Sequence, residues 1–227
     1  MFAMLLARNI REVTFGGERL WLDPAAALYL PDYKTLIVSD LHLEKGSFLS
    51  QTGAPVPLYD TLDTLLQLNV LLEHYQPEKV VLLGDSFHDH KALQRLPEME
   101  RQILVAMVGT VKTWWWVAGN HDAELDLDLP GTVCDFLQIG QLSFSHEPVA
   151  CTGSLVVGHF HPKTVSRIGG HKVKGKVFML NDMLMILPAF GSYTGGLLTS
   201  DPVFAQYFKM PPVQYLILKE KIWKMPG

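Results

Sequence analysis

The fold is decided by a short stretch of sequence, KVVLLGD at residues 79–85. Its apolar, mostly branched residues are typical of a strand buried on both faces, and the Gly-Asp pair marks the end of that strand. The same pattern occurs in KTLIVSD at residues 34–40 and in TWWWVAGNHD at residues 113–122. We therefore predict three buried strands, each of which delivers a polar residue at its carboxyl end.

Helical patterns separate these strands. Leucines recur at near-helical spacing over residues 57–75, and a second helix is expected over residues 97–108. Strands and helices that alternate in this way form a parallel sheet with right-handed crossovers. Shorter β-like runs precede the first buried strand, at residues 12–15, 19–22 and 27–30.

The second half of the chain has short β-like runs with little helix, at residues 132–137, 141–145, 154–157, 176–180, 184–187 and 213–218. Asn181-Asp182 is typical of a tight hairpin turn between two of them. We predict a mostly antiparallel sheet packed on the first one. The expected fold is α/β, with two facing mixed β-sheets in a sandwich flanked by helices. The loops at residues 46–57 and 121–131 are too short to separate domains, so we expect a single domain over residues 1–227.

Composition excludes several classes of protein. The 227 residues are 48% hydrophobic and 19% charged, which excludes a disordered chain. Two cysteines, Cys134 and Cys151, cannot build a disulfide scaffold or a zinc ribbon, so we expect a reducing compartment. The apolar residues 1–7 precede their charges instead of following them, unlike a signal peptide, and no run is long enough to span a bilayer. The expected location is the cytoplasm.

Charge is unevenly distributed along the chain. The net charge of −4 argues against an overall electrostatic attraction for nucleic acid. However, residues 148–181 contain no Asp or Glu, and their basic residues are Lys163, Arg167, Lys172, Lys174 and Lys176. The basic stretch itself, residues 163–176, starts two residues after His161. Contact of this stretch with a phosphate backbone, by Lys163 and Arg167 first, is as well supported as its interpretation as a solvated hairpin.

Metal-competent side chains follow five of the predicted strands. They are Asp40 with His42, Asp85, Asn120 with His121 and Asp122, His146, and His159 with His161. Any one of these segments has a structural explanation, because Asp and Gly-Asp also mark turns and a single His-x-His pair is often incidental. A structural explanation of all five needs a separate coincidence for every strand. We therefore interpret the five segments as parts of one functional site.

The chemistry of this set indicates divalent cations. Carboxylates, imidazoles and a carboxamide, with no thiolate among them, suit Mn, Fe, Zn or similar ions. The set also contains more ligands than one zinc ion takes. A carboxylate can bridge two cations, which is the role we expect for Asp85. Two cations about 3.5–4 Å apart can activate water and clamp a phosphoryl group.

In this order, the motifs resemble those of the calcineurin-like metallophosphoesterases. They are DLH at residues 40–42, GD at 84–85, GNHD at 119–122, His146 and GHFH at 158–161. The resemblance implies a fold of two packed sheets over nearly the whole chain. One departure concerns the third position after Asp85, where many members of the family have Asp. Here His88 stands at that position and Asp89 follows it.

A narrower resemblance rests on DLHLEKGS at residues 40–47, GDSFHD at 84–89 and LPAFGSYTGG at 187–196. These segments resemble the bacterial ligase-associated DNA-damage-response endonucleases, the PdeM group. That resemblance implies a DNA phosphodiester substrate and association with a DNA ligase and a helicase.

The resemblance also implies roles for single residues. It places one metal among Asp40, His42, Asp85 and His161, and a second among Asp85, Asn120, His146 and His159. His121 is left without metal and would protonate the leaving oxygen or stabilise charge on phosphorus. Two divalent ions per chain are implied; we expect Mn, with Fe, Zn and Ni as alternatives.

Several other features have competing interpretations. Residues 114–116, three tryptophans, could stack on bases, but a strand that leads into a site favours a role in the core. His74, His88, His90 and His171 match none of the metal-binding motifs of the calcineurin-like family, and we expect surface or packing roles for them. Asp122 could orient His121, although an exposed loop position is the simpler expectation.

The expected function is hydrolysis of a phosphodiester, in DNA, by two metal ions and His121. An alternative within enzymes is a phosphodiesterase for a small cyclic or dinucleotide substrate. A non-catalytic scaffold of the same fold is a third hypothesis, but it predicts decayed ligands, whereas every candidate ligand is present.

Overall fold

The computed structural model describes residues 8–51, 53, 57–122, 129–168 and 170–226. The apolar residues 1–7, which the sequence distinguishes from a signal peptide, lie outside this range. Within the described part of the chain, no helix combines the length and apolar character needed to cross a membrane.

The strands are, in chain order, β1 Arg11–Phe15, β2 Glu18–Asp23, β3 Ala27–Leu30, β4 Thr35–Val38, β5 Lys79–Leu83, β6 Thr113–Val117, β7 Thr132–Cys134, β8 Phe136–Ile139, β9 Leu142–Ser145, β10 Ser154–Val157, β11 Lys163–Ile168, β12 His171–Leu180, β13 Leu184–Ile186, β14 Val213–Leu218 and β15 Lys221–Lys224. The α-helices are α1 Lys45–Gln51, α2 Asp60–Tyr75, α3 Ala92–Arg95 and α4 Glu98–Val108. Short 3-10 helices cover Pro31–Tyr33 and Pro202–Gln206.

The first sheet contains β1 to β7 in sequence order. Strands β1 to β4 pair antiparallel, and β4 to β7 pair parallel, with helix α2 between β4 and β5 and helix α4 between β5 and β6. The three buried strands predicted from the sequence are therefore confirmed as the parallel centre of this sheet. Their carboxyl ends meet at one edge.

The second sheet has the order β15-β14-β12-β13-β10-β9-β8, and β11 pairs with the outer part of β12. The outer pairs are antiparallel, as the sequence predicts. Strand β10, however, pairs parallel with both β9 and β13. This sheet is therefore mixed as well, and the carboxyl ends of β9 and β10 lie at a common edge.

Two sequence predictions are wrong in detail. Residues 132–137 do not form one strand, because β7 belongs to the first sheet and β8 to the second. Only Asp135 separates them, and the chain crosses from one sheet to the other at that point. The predicted loop over residues 46–57 is also partly helical, since α1 covers Lys45–Gln51. Residues 52 and 54–56 of that loop lie outside the described residues.

Three apolar layers hold the sheets and helices together. The central layer lies between the two sheets and includes Leu28, Val81, Phe144, Val156 and Phe178. A second layer joins the first sheet to α2 and α4, and a third covers the outer face of the second sheet, where Phe204 and Phe208 pack. The predicted sandwich of two facing mixed sheets is confirmed.

The three tryptophans of β6 belong to the core. Trp114 and Trp116 are buried on the helix side of the first sheet, and Trp115 packs from the opposite face into the layer between the sheets. The Trp116 indole N–H also donates to the carbonyl of Pro130 at 3.0 Å. These positions favour the core interpretation over a base-stacking platform.

Replacing Trp116 with Ala should lower the free energy of unfolding by about 3–5 kcal/mol, because the fully buried indole leaves a cavity in a close-packed layer. Urea denaturation measures the change. The control is Trp223→Ala, since that side chain is 46% exposed and should cost much less. A Trp116→Ala protein of unchanged stability that binds nucleic acid more weakly would contradict the core assignment.

Candidate metal centre

The predicted ligands lie together because the strands before them end at adjacent sheet edges. Asp40, Asp85 and Asn120 follow β4, β5 and β6, which are parallel neighbours in the first sheet. His146 and His159 follow β9 and β10, parallel neighbours in the facing sheet. Parallel strands bring the residues after their carboxyl ends to the same side. Segments that are distant in sequence thus converge on one site.

The first group of ligand candidates consists of Asp40, His42 and His161. The His161 Nε2 lies 3.1 Å from Asp40 Oδ1 and 3.3 Å from His42 Nε2. One donor atom from each residue falls within 4.8 Å of the other two, so all three can face one cation. Asp40 and His42 are buried, and His161 is partly exposed.

The second group consists of Asp85, His146 and His159, with Asn120 beside them. Donor atoms of the first three lie within 4.8 Å of one another. Asn120 Oδ1 lies 3.0 Å from both His146 Nε2 and His159 Nδ1. The structure therefore brings all seven residues that the sequence suggests as ligands into two adjoining groups.

Asp85 lies between the two groups. Its Oδ2 atom is 3.7 Å from His42 Nε2 in the first group and 3.4 Å from His146 Nε2 in the second. Its other oxygen accepts a hydrogen bond from the backbone N–H of His121 at 2.9 Å. One oxygen of Asp85 therefore faces both groups of ligand candidates.

The backbone at the ligands is strained. Positive φ values occur at Asp40 (55°), His42 (47°), Asp85 (45°), His159 (68°) and His161 (47°). Residues with a Cβ rarely adopt this region, and a cluster of such residues is typical of functional sites. The strain turns each side chain inward from its strand end.

Two glycines allow the loops to approach each other closely. Gly84 has φ of 77°, and a Cβ there would lie 2.0 Å from the ring of His146. A Cβ at Gly119 would lie 2.2 Å from Asp85 Oδ1. The glycine of each GD and GNH motif thus makes room for a ligand from another loop.

The protonation of the site follows from burial and from charge pairing. Burial raises the pKa of Asp40 and of Asp85, but hydrogen bonds and charge interactions with the surrounding histidines together outweigh it and hold the pKa of each carboxyl below its usual value. Burial lowers the pKa of His42 to about 3. Burial also opposes the charged form of His146, but its hydrogen bond with Asp85 and the negative charges of Asp40 and Asp85 together raise that pKa to about 9.

These groups fit divalent cations. The carboxylates are ionised, and His42 is neutral, so their lone pairs are available to a metal. His146 Nε2 and Asp85 Oδ2 lie 3.4 Å apart, and a cation between them would replace a proton on His146. The donors are oxygens and imidazole nitrogens without thiolate, a set that suits Mn, Fe, Zn and Ni.

His121 lies beside both groups with its ring exposed. Its Nδ1 atom is 2.8 Å from the carbonyl oxygen of His88, so this nitrogen carries a proton that it donates to the carbonyl. The hydrogen bond fixes the orientation of the ring and leaves Nε2 for proton exchange. This placement is suited to a general acid.

Two further residues contact the ligand loops. His88, for which the sequence predicts a surface or packing role, packs within the site, because its Nδ1 lies 3.5 Å from His42 Nδ1 and its ring stacks on His121 with centroids 5.4 Å apart. Asp122 is buried instead of exposed, and it accepts hydrogen bonds from the backbone N–H groups of Gly119 and Phe87. Burial raises the pKa of Asp122 to about 6. It joins two ligand loops and does not orient the ring of His121.

The basic segment begins next to the site. The Lys163 ammonium donates to the Thr194 carbonyl at 2.8 Å, and the ammonium of Lys176 lies 3.2 Å from the Phe190 carbonyl. Both lysines therefore hold the loop at 190–194, whose Gly191 N–H donates to the carbonyl of Asp40. Burial lowers the pKa of Lys176 to about 8. Arg167 is exposed, farther along β11.

Comparisons with known proteins show the family of this chain. The structure of the Pseudomonas putida nuclease MPE superposes with a TM-score of 0.75 at 26% identity, covering 96% of this chain and 100% of that one. A phosphoesterase from E. coli, Yfce, matches at 18% identity with a TM-score of 0.40, over 82% of this chain and 88% of that one. No curated protein sequence gives a significant match. The profile of the calcineurin-like phosphoesterases matches residues 33–217. Residues 33–217 include every predicted ligand and His121, and the chain belongs to the calcineurin-like phosphoesterase family.

Proposed function

We propose that this protein is a phosphodiesterase that uses two metal ions and cleaves DNA internally. The observation that carries the proposal is the pair of ligand groups that share Asp85, with His121 beside them. Asp40, His42, Asp85 and His161 would hold one ion, and Asp85, Asn120, His146 and His159 the other. Manganese is the ion we propose.

The ions, when bound, would polarise the phosphoryl oxygens and activate a water. The side chains of the protein supply the positioning of the site and the proton transfer. Its buried carboxylates fix the site at the sheet edge, and His121 presents Nε2 on the open side while Nδ1 is held by the His88 carbonyl. A proton on Nε2 can then pass to the departing oxygen of the ester.

Two observations support a nucleic acid as the substrate. The first is the similarity to the nuclease MPE. The second is the hairpin of β11 and β12, which pairs Lys163 with Lys176, Val165 with Lys174 and Arg167 with Lys172. Directly opposed and alternate residues of an antiparallel pair share a face, so all five basic side chains project from one side of the hairpin. We call this side the basic face.

The basic face is unfavourable for the hairpin itself, because like charges in directly opposed positions repel each other. Lys163 and Lys176, next to the site, are engaged with loop carbonyls. Arg167, Lys172 and Lys174 are exposed and have no hydrogen bond or ion pair with the residues that the structure describes. An extended polyanion that continues beyond the metal centre would neutralise them.

The resemblance to ligase-associated endonucleases supports a role in DNA repair together with a DNA ligase and a helicase, in the cytoplasm. A small cyclic or dinucleotide diester is the alternative substrate, and it would reach only the metal centre. The hairpin therefore distinguishes the two substrates experimentally.

The metal proposal predicts that the protein loaded with Mn holds about two equivalents of metal by elemental analysis. Replacing Asp85 with Asn should lower that content and abolish hydrolysis of bis-p-nitrophenyl phosphate, because one ligand of both ions is weakened. The control is Asp182→Asn, which removes an exposed carboxylate at the β12–β13 turn. Saturation of the wild type at one ion, or full activity of Asp85→Asn, would refute the binuclear site.

The role of His121 is tested by His121→Ala. This variant should keep both metals and lose about 10²–10⁴ in rate on DNA, since a general acid contributes that much. The loss should be smaller for p-nitrophenyl esters, because p-nitrophenolate leaves without protonation. Loss of metal in this variant would instead make His121 a ligand.

The substrate proposal predicts that Arg167→Glu, Lys172→Glu and Lys174→Glu together weaken DNA binding. The plot of log K against log salt should become less steep, its negative slope shrinking in magnitude by about 2–3. Each phosphate contact contributes about 0.7–0.9 to that magnitude. Hydrolysis of bis-p-nitrophenyl phosphate should fall much less. The control, Lys209→Glu with Lys219→Glu and Lys221→Glu, changes the net charge equally at exposed positions outside the basic face. Equal effects of the two triple variants would favour the small-substrate alternative.

A further inference from the structure

We propose that Arg95 is a positioning residue for His121, which it holds through the loop at residues 86–91. The inference rests on the proposed role of His121 as a general acid. It concerns what fixes the imidazole, an exposed ring at the edge of the site.

The ring of His121 is held by the loop that follows β5. The hydrogen bond from Nδ1 to the His88 carbonyl is the one such bond that its side chain makes to any described residue. The ring of His88 stacks on that of His121 at an interplanar angle of 22°. The orientation of the proton donor is therefore set by where the backbone at His88 lies.

The next residue in the loop, Asp89, is held by Arg95. The guanidinium makes a bidentate contact, in which Nη1 donates to Asp89 Oδ1 at 3.0 Å and Nη2 donates to Asp89 Oδ2. This pairing holds the pKa of Asp89 below its usual value. The same carboxylate also accepts the backbone N–H of Lys91 at 2.8 Å. Arg95 thus fixes the residue adjacent to the carbonyl that orients His121.

Arg95 also connects this loop to helix α1. Its Nε atom donates to Ser47 Oγ at 3.0 Å. The neighbouring Phe48 ring packs edge-on against the ring of His88, with centroids 4.8 Å apart. Helix α1 begins just after His42, so Arg95 ties His88 to a segment that also carries a ligand candidate.

The ion pair is shielded in a way that suits a positioning role. The side chains of Arg95 and Asp89 are 14% and 18% exposed, whereas the pair of Arg19 and Asp32 is 49% and 52% exposed. Shielded bidentate ion pairs hold a defined geometry, whereas exposed ion pairs contribute little to stability. A backbone carbonyl moves only with its loop, so the loop needs such an anchor.

The test compares Arg95→Gln and Arg95→Lys with the control Arg19→Gln. We expect Arg95→Gln to retain two Mn ions and an unchanged KM, while kcat on DNA falls about 10–100-fold, since small misplacements of a catalytic group cost that much. For p-nitrophenyl esters kcat should fall less than about 3-fold, because their leaving group does not need the acid. Arg95→Lys should be intermediate, since an ammonium cannot bind Asp89 and Ser47 in one plane.

A double-mutant cycle separates positioning from a general structural effect. In the His121→Ala background, Arg95→Gln should cause no further loss of kcat, because the group that it positions is absent. A further loss as large as in the wild type, equal losses on both ester types, or loss of metal would overturn the proposal. If His121→Ala itself affected both ester types equally, the acid role of His121 would fail, independently of what Arg95 does.

Discussion

The Asp85 carboxylate makes the contact on which the rest of the site depends. Its Oδ2 atom faces an imidazole of each ligand group, at 3.7 Å from His42 and 3.4 Å from His146, and its Oδ1 atom accepts the backbone N–H of His121. Asp85 follows β5, which lies between its parallel neighbours β4 and β6. The central strand of the parallel sheet thus places one buried charge where ligands from both sheets meet.

Backbone strain and the loss of hydration both oppose this arrangement of ligand candidates. Five ligand candidates have positive φ, at about 1–3 kcal/mol each, and buried carboxylates and imidazoles lose hydration. The buried layers on both faces of the first sheet hold the strand ends and leave the loops few alternatives. Asp122 joins two of those loops through their backbone N–H groups. The supports of the site thus lie in the core, and cations would relieve its crowded charges.

Much of this could be predicted from the sequence. Apolar strands and helical periodicity predicted the parallel centre of the first sheet, since burial on both faces requires runs such as residues 79–83. Residue type and position at strand ends indicated a set of metal-competent side chains, because parallel strands that end together bring those ends together. The family resemblance then implied which seven of them are ligands. The grouping of Asp85 with both His42 and His146 agrees with the bridging role expected of it, which stays a prediction until metal binding is measured.

Other features were decided by the tertiary structure alone. The sequence gives no periodicity for the crossing between β7 and β8, because one residue suffices to change sheets. The contacts of His88 and Arg95 could not be read from any motif, since they are made through a backbone carbonyl and an ion pair whose partners only folding brings near. The basic residues of β11 and β12 share a face because of strand register, which depends on pairing across the hairpin. Local patterns in a sequence specify which groups reach the site, whereas long-range packing determines what holds them there.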